Sequence, residues 1–382
     1  MSLNPQPILA FAGVNHVSET TIACVILLLG ILGVWKVLRH PFWGTRLSAI
    51  FRKPFVVISL LIALSFFLVA WLDAVSWKDY LGEDASKISL EAAQPRSLLD
   101  RAFAAATGVP EWEYRERSYS APLAKHEFVD RDIQLKYPHL LGTSQTGYDT
   151  LYQVLKGCKP AVVIGTLPLI VAVPLALLFG ISAGYFGGRV DDIVVYIYTT
   201  LASIPGLLRM IAFIAALGKG LAQISIALGI TGWIGLCRLV RAEAFKLREL
   251  EYVQAAVCLG VPHWKIIMRH IIPNVMHIVI ITSILSFTGL VLAESVLSYL
   301  GIGLDHSWGA MIDNARGEVS REPAIWWNLL FASTGLFALV LSVNVVGDAL
   351  RDALDPRISG AEQELVKGER ERNEKNCALT EH

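Results

Sequence analysis

The chain has 382 residues, of which 54% are hydrophobic and only 17% charged, and its 33 Lys+Arg balance 33 Asp+Glu. An average soluble domain carries about 25% charge, whereas mean hydropathy here reaches +0.51. This composition excludes a disordered chain and a nucleic-acid binder driven by net charge, which would need a basic excess to neutralise phosphates; it points to lipid as the solvent.

A bilayer core about 30 Å thick needs about 20 apolar helical residues, fewer when flanking charges snorkel. Seven uncharged runs meet or approach that length: Thr20 to Trp35, Pro54 to Leu72, Pro160 to Gly188, Ile193 to Leu208 (continuing past Arg209 to Gly218), Gly220 to Cys237, Ile278 to Ala293 (continuing past Glu294 to Leu304), and Pro323 to Gly347. The first is short, but it is not a signal peptide by pattern, because its basic residues follow the apolar stretch instead of preceding it. Lys36, Arg39, Arg46, Arg52 and Lys53 then form an acid-free basic linker, which the positive-inside rule places in the cytoplasm. Counting forward, the stretch from Asp73 to about Lys159 lies outside, and the loop carrying Arg241, Lys246, Arg248, Lys265 and Arg269 lies inside with the C-terminal tail.

The expected organisation is an N-terminal transmembrane helix and basic linker (1–53), a first core span (54–72), an outside insertion (73–140), a core of five further spans (141–357) and a charged cytoplasmic tail (358–382) read as disordered. The insertion, with Trp77, Trp112, Tyr114 and Tyr119, reads either as a small folded unit or as an ordered loop. Five Cys without CxxC spacing, mostly in or beside spans, read as small buried apolar residues.

No GxxxxGK[ST], HExxH, GxSxG or strand-following GxGxxG is present, so no catalytic residue is assigned and ATP hydrolysis is not expected of this chain. The informative cytoplasmic stretch is Ala242 to Asn274. A helix is expected to end near Gly260, a break to follow at Val261-Pro262, and a short second helix to run from His263 to Ile272 before Pro273 restarts the chain. Two amphipathic helices joined at a glycine between spans make either a plain linker or a rigid knob.

Gln254-Ala255-Ala256, three residues, Gly260, and then Ile272-Pro273 resemble the EAA loop of ABC importer permeases, with Gln254 in place of Glu and His270 where Ile is usual. Leu141-Gly142-Thr143 with Gly147 and Asp149, the Ala293-Glu294-Ser295 to Gly303 segment with Trp308-Gly309, and Gly347-Asp348 to Pro356-Arg357 are similar to three further stretches of the dipeptide, oligopeptide and nickel permeases, C-type subunit. Ser144, Tyr148 and Gln153 replace charged residues of the first stretch. The resemblance covers about residues 138–357.

It implies an all-α polytopic membrane protein with a six-helix type I permease core, here with one extra N-terminal transmembrane helix. Its coupling loop (about 241–277, carried by Gln254, Ala255, Ala256, Gly260, His263, Ile272 and Pro273) would dock on an ATPase. The implied partners are a homologous second permease, two cytosolic ATPases that hold the ATP and Mg, an extracytoplasmic substrate-binding protein and membrane lipid, without nucleic acid and without a cofactor in this chain. The alternative function is a stand-alone secondary transporter or channel, which is expected to show inverted repeats and midplane ion ligands.

Intramembrane charges cost several kcal/mol unless paired or wet. Arg209, after the Ser203-Ile204-Pro205-Gly206 break, either lines the translocation path or pairs with a neighbouring subunit or snorkels outward. Glu294 is either a gating or path residue or a structural polar contact, and a pair between the two would neutralise both. His263, His270 and His277, at seven-residue spacing, read as ordinary polar contacts and not as a metal site, because Pro273 interrupts their helix. Asp348, Arg351, Asp352, Asp355 and Arg357 read as an ion-paired anchor at the end of the last span.

Overall fold

The computed structural model describes residues 53–77, 96–108, 115–126, 134–135, 137–322 and 324–354. The expected first span (Thr20 to Trp35), the basic linker up to Arg52, Trp112 and Tyr114 of the insertion, and the tail from Asp355 onward lie outside the described residues.

Among those described, the chain order is α1 (Pro54–Ala74), β1 (Ser76–Trp77), β2 (Arg96–Ser97), α2 (Leu98–Thr107), α3 (Thr150–Lys156), α4 (Cys158–Phe186), α5 (Gly188–Ala202), α6 (Gly206–Leu217), α7 (Leu221–Arg248), α8 (Glu251–Cys258), α9 (His263–Ile266), α10 (Ile272–Tyr299), α11 (Trp308–Val319) and α12 (Trp327–Leu354). The two short strands pair antiparallel, Ser76 with Ser97 and Trp77 with Arg96. Five helical runs, α1, α3 with α4, α7, α9 with α10, and α12, are long and apolar enough to cross a membrane, and α5 with α6 form a sixth, bent by 88° at their junction. Among the described residues, five of the six spans expected for runs two to seven are long apolar helices, and the run from Ile193 to Gly218 is the bent pair, with a sharp corner at the Pro-Gly break.

Small residues decide which spans touch. In lipid, helices gain little from burying apolar surface against one another, so close approach of backbones takes over. Along α4, Ala176, Gly180, Ala183 and Gly184 form a narrow face that is filled by Cys237, Val240 and Ala244 of α7, all buried. A Cβ on Gly184 would stand 2.5 Å from the Arg241 carbonyl oxygen and 2.8 Å from Ala244 Cβ, and one on Gly180 would stand 2.9 Å from the Cys237 carbonyl oxygen. Further along the same seam, Gly229 of α7 lies against Pro168 and Val171 of α4. At the basic end of this pair, Arg241 holds Asp191 of α5 through Nε and Nη2, the latter donating to Oδ2 at 2.6 Å.

The opposite end carries a polar cap that binds the insertion to the span ends. Ser97 and Asp100 form a capping box at the start of α2. Lys156 at the end of α3 reaches Asp73 of α1 and Asp100 at 2.6 Å each. Burial raises the Asp100 carboxyl, but the Lys156 ammonium and donors from Ser97 and Tyr152 outweigh it and hold the group below the usual carboxylate range. Glu318 of α11, buried, accepts from Tyr119 Oη and Asn328 Nδ2, each at 2.8 Å, and Thr150 Oγ1 donates to Asn328 Oδ1 at 2.7 Å. Burial, with the Glu318 carboxylate beside it, pushes the Tyr119 hydroxyl up to about 12.

The Leu141 to Asp149 stretch owes its residue types to this cap. Gly142 and Gly147 both have positive φ, and a side chain on Gly142 would strike the Ser120 carbonyl oxygen. Fully buried Thr143 accepts from Ser120 N–H at 2.6 Å and donates to Ser118 C=O at 2.9 Å, while its own carbonyl receives Trp327 Nε1 at 3.0 Å. Asp149 caps α3 through the N–H groups of Leu151 and Tyr152 and also meets His139 Nδ1 at 2.8 Å. At the three positions that lack the related charges, Gln153 donates to Ser144 Oγ at 3.1 Å, and the Arg115 guanidinium covers the Tyr148 ring.

Candidate functional site

Gln254, Ala255, Ala256, Gly260, His263, Ile272 and Pro273, the residues of the EAA-like stretch, fall on one protrusion between α7 and α10. α8 ends in a Schellman turn: Val261 N–H donates to Ala256 C=O at 3.1 Å, Gly260 N–H donates to Val257 C=O at 2.9 Å, and Gly260 takes φ +74°. That geometry explains the spacing from Ala256 to Gly260, since the residue after the helix must be left-handed and its successor must reach back five positions. A Cβ on Gly260 would meet nothing within 4 Å, so backbone conformation and not crowding requires glycine there.

Pro262 then caps α9, and the chain continues differently from the expected restart at Pro273. Residues Ile267–Ile271 form a π turn that leads without a break into α10, whose first turn contains Pro273. The wider i to i+5 hydrogen bonding lets the helix pass a residue that has no N–H. His263 through Tyr299 is therefore one continuous helical run that joins the protrusion mechanically to a membrane span.

The base of the protrusion is fixed by burial. Val253, Ile266 and Ile271 are essentially inaccessible and pack with Tyr185, Leu247 and Val275, and Ala256, Val261 and Ile272 pack partly against the same cluster. Tyr185 Oη and His263 Nδ1 lie 2.9 Å apart. Gln254 donates from Nε2 to Glu249 C=O at 3.2 Å, closing the corner between α7 and α8 where the related Glu would stand. Ala255 is exposed beside it, as is Pro273. His270 faces the Tyr252 ring and His277 Nδ1 meets Asn274 C=O at 2.7 Å, so the three histidines go to separate neighbours. Among the described residues no group of three His, Cys, Asp or Glu is placed to hold a metal ion.

Opposite the buried base, the protrusion exposes large apolar side chains: Leu259 at 82%, Trp264 at 68% and Met268 at 63%. Trp264 and Met268 stand at i, i+4 on the same helical run, with Leu259 just across the turn. The sequence reading missed this patch. The available signal was a second apolar stripe in a segment whose core-facing positions, Ile266 and Ile271, already accounted for its amphipathicity.

The two intramembrane charges do not pair. Glu294, 2% exposed, accepts from Ser298 Oγ at 2.5 Å, and that same Oγ accepts Leu304 N–H at 2.8 Å. The helix above it ends in a second Schellman turn, with Gly301 at φ +72°, Gly301 N–H donating to Ser298 C=O at 2.9 Å and Ile302 N–H donating to Leu297 C=O at 2.9 Å. Glu294 thus organises the loop from Leu300 to Ser307 through a serine. Arg209 instead donates from Nη1 to Leu201 C=O at 2.5 Å and from Nη2 to Thr231 C=O at 3.3 Å. Of the expected anchor at the end of the last span, Asp355 and Arg357 lie outside the described residues; Asp352 lies 3.9 Å from Lys53, which brings the start of α1 beside the end of α12.

The family described as "Binding-protein-dependent transport system inner membrane component" matches residues 176–360, which include α5 to α12. A solved inward-facing MetNI methionine ABC transporter aligns with a TM-score of 0.41 at 15% identity, over 54% of this chain and 96% of that chain. The oligopeptide transport system permease protein OppC of Haemophilus influenzae is 35% identical over 57% of this chain and 70% of its own length. The glutathione transport system permease protein GsiD of Pectobacterium atrosepticum is 33% identical over 63% of this chain and 81% of its own length. With six spans, a glycine-turned protrusion at the end of the fourth and relatives matched over most of their length, the chain belongs to the binding-protein-dependent transport system inner membrane components.

Proposed function

We propose that this chain is one of two homologous permease subunits of an ATP-driven importer for peptides or a related small solute. Two cytosolic ATPases holding ATP and Mg dock on its protrusion and that of its partner, and an extracytoplasmic binding protein delivers substrate to the opposite face. The N-terminal helix and basic linker, the outside insertion and the cytoplasmic tail flank the core at 1–53, 73–140 and 358–382. The C-terminus is cytoplasmic, a reading supported by the basic linker ending at Lys53 and the contact of Lys53 with Asp352. Peptides are favoured as cargo because the relatives include permeases named for oligopeptide and dipeptide transport.

The observation that carries the reading is an exposed apolar patch, Leu259, Trp264 and Met268, on a protrusion whose base is buried and whose second helix continues into a span. Such a patch is out of place in water and suits docking into an apolar groove of a partner. Because the π turn and α10 form one run, closure of the ATPases would drive the protrusion and tilt the attached spans, switching access from outside to inside. Gln254, Ala255, Ala256, Gly260, His263, Ile272 and Pro273 serve this movement by shaping the protrusion. Glu294 contributes to gating by holding the outer loop through Ser298. The stand-alone transporter alternative draws no support from relatives that are named as subunits of transport systems.

The test is a Trp264→Asp variant of the full complex, which leaves the buried base untouched. Loss of an aromatic anchor of this kind costs about 2 kcal/mol or more, so ATPase association should weaken by about 30-fold. Unchanged co-purification of the ATPase together with unchanged substrate-stimulated ATP hydrolysis refutes the docking role.

A further inference from the structure

The third core span is broken where a charge is least tolerated. α5 and α6 meet at 88° across Ser203, Ile204 and Pro205, and Arg209 reaches back over the break to Leu201 C=O while also touching Thr231 C=O of α7. Depth follows from α7. At 1.5 Å per residue, the uncharged stretch from Leu221 to Cys237 covers about 25 Å, and Thr231 lies about 15 Å in from its start and about 9 Å from its end. The guanidinium therefore sits beside the uncharged stretch of α7 and not at either end of it.

Three observations make this an incomplete site. Among the described residues no carboxylate pairs with Arg209, its two partners being carbonyl oxygens, and its Nε is buried without a hydrogen-bond partner. No side chain caps the N-terminus of α6 beside it, so the positive end of that helix adds to the same positive potential. Residues 202–208 at the break are all exposed. Non-helical backbone at this depth is tolerated only against protein or a water-filled cavity, not against lipid. An unneutralised cation there costs several kcal/mol, and charged groups at this position mark solute pathways. Broken helices that present an N-terminus near the midplane provide binding sites for anionic substrate groups.

We propose that Arg209 and the broken α5–α6 span form an intramembrane carboxylate site that receives the C-terminal carboxylate of a transported peptide. This rests on the reading of the chain as a peptide permease subunit. Arg209 holds the helix corner through Leu201 while offering its remaining donors to the passing anion, so the site is shaped before substrate arrives.

The assembled transporter with its binding protein is assayed with trialanine and with trialanine amide, which lacks the carboxylate, comparing wild type, Arg209→Met and Arg209→Lys. Selection by the binding protein is common to all three chains and cancels in the ratio of the two rates. Removing a hydrogen bond to a charged group corresponds to about 10- to 100-fold. The maximal rate for trialanine should fall by that factor in Arg209→Met, with the amide nearly unaffected and Arg209→Lys recovering part of the loss. An equal loss for both peptides, no loss for either, or dissociation of the second permease from Arg209→Met, which would mean that the counter-charge belongs to that subunit, overturns the proposal. A second measurement keeps the arginine in place: a thiol introduced by Ser203→Cys should be protected from a permeant alkylating reagent by trialanine and not by the amide, read at that residue by peptide mapping. Equal or absent protection overturns the site. Wild type that imports trialanine with unchanged discrimination in the variants overturns this site alone, whereas wild type that imports neither peptide overturns the peptide reading with it.

Discussion

The α4–α7 seam allows a prediction with a built-in control. Gly184→Ala places a methyl group 2.5 Å from the Arg241 carbonyl oxygen, where an ordinary contact requires about 3.4 Å. The obstacle is helix backbone, so no rotamer change relieves it and α4 must move away from α7 by nearly 1 Å. Overpacking of this kind costs about 1–3 kcal/mol, and the gain in helix propensity from Gly to Ala offsets up to about 1 kcal/mol. A net loss of about 1–2 kcal/mol should lower the thermal midpoint of the purified chain in detergent by about 1–3 °C. Gly235→Ala on α7 is the control, because its Cβ meets nothing within 4 Å; only the propensity gain remains, and the midpoint should hold or rise. The comparison is read from tryptophan fluorescence during a thermal ramp, with both variants in the same detergent. Equal midpoints for Gly184→Ala and Gly235→Ala, or a higher midpoint for Gly184→Ala, would refute the claim that backbone approach joins these two spans.

Two further outcomes concern the polar cap. Burial alone would lower the His139 pKa, but Asp149 at 2.8 Å and Glu116 at 3.5 Å outweigh it and raise the group above its ordinary value. Its stabilising contribution is therefore complete below the unfolded value of about 6.5 and is lost as pH rises through the higher folded value. Proteolysis of the purified protein in detergent should accelerate in the cap as pH rises above about 6.5, and His139→Gln should flatten that dependence; a wild-type rate independent of pH contradicts it. Trp308, 1% exposed, donates from Nε1 to Val154 C=O at 2.9 Å and fills the space left open by Gly157. Trp308→Ala should cost about 3–5 kcal/mol and free α11 from α3, visible as faster hydrogen exchange in both, while unchanged exchange would show that Trp308 does not bind the two together.

Much of the fold was legible because lipid imposes a strong one-dimensional rule: each span must satisfy its own backbone, so apolar length alone locates Pro54–Ala74, Leu221–Arg248 and Trp327–Leu354. The acid-free basic linker fixed the expected orientation in the same way. The spacing from Ala256 to Gly260 and from Leu297 to Ile302 was also written locally, since a Schellman turn depends on consecutive residues.

What remained hidden depends on residues distant in sequence. That Gly180 and Gly184 face Cys237, Val240 and Ala244 is a property of two helices meeting, and the same small residues would look identical on a lipid-facing surface. A proline at 273 reads as a break until the π turn before it is seen. For Arg209 and Glu294 the sequence left several partners open, a mutual pair among them, and tertiary structure sent one to carbonyl oxygens at a broken helix and the other to a serine below a loop. Length, composition and local turns located the apolar runs that the described residues show as spans and the turn at Gly260. Only the three-dimensional arrangement decided which charge is satisfied and which is left facing the break, because electrostatic pairing depends on distance in space, which sequence separation does not set.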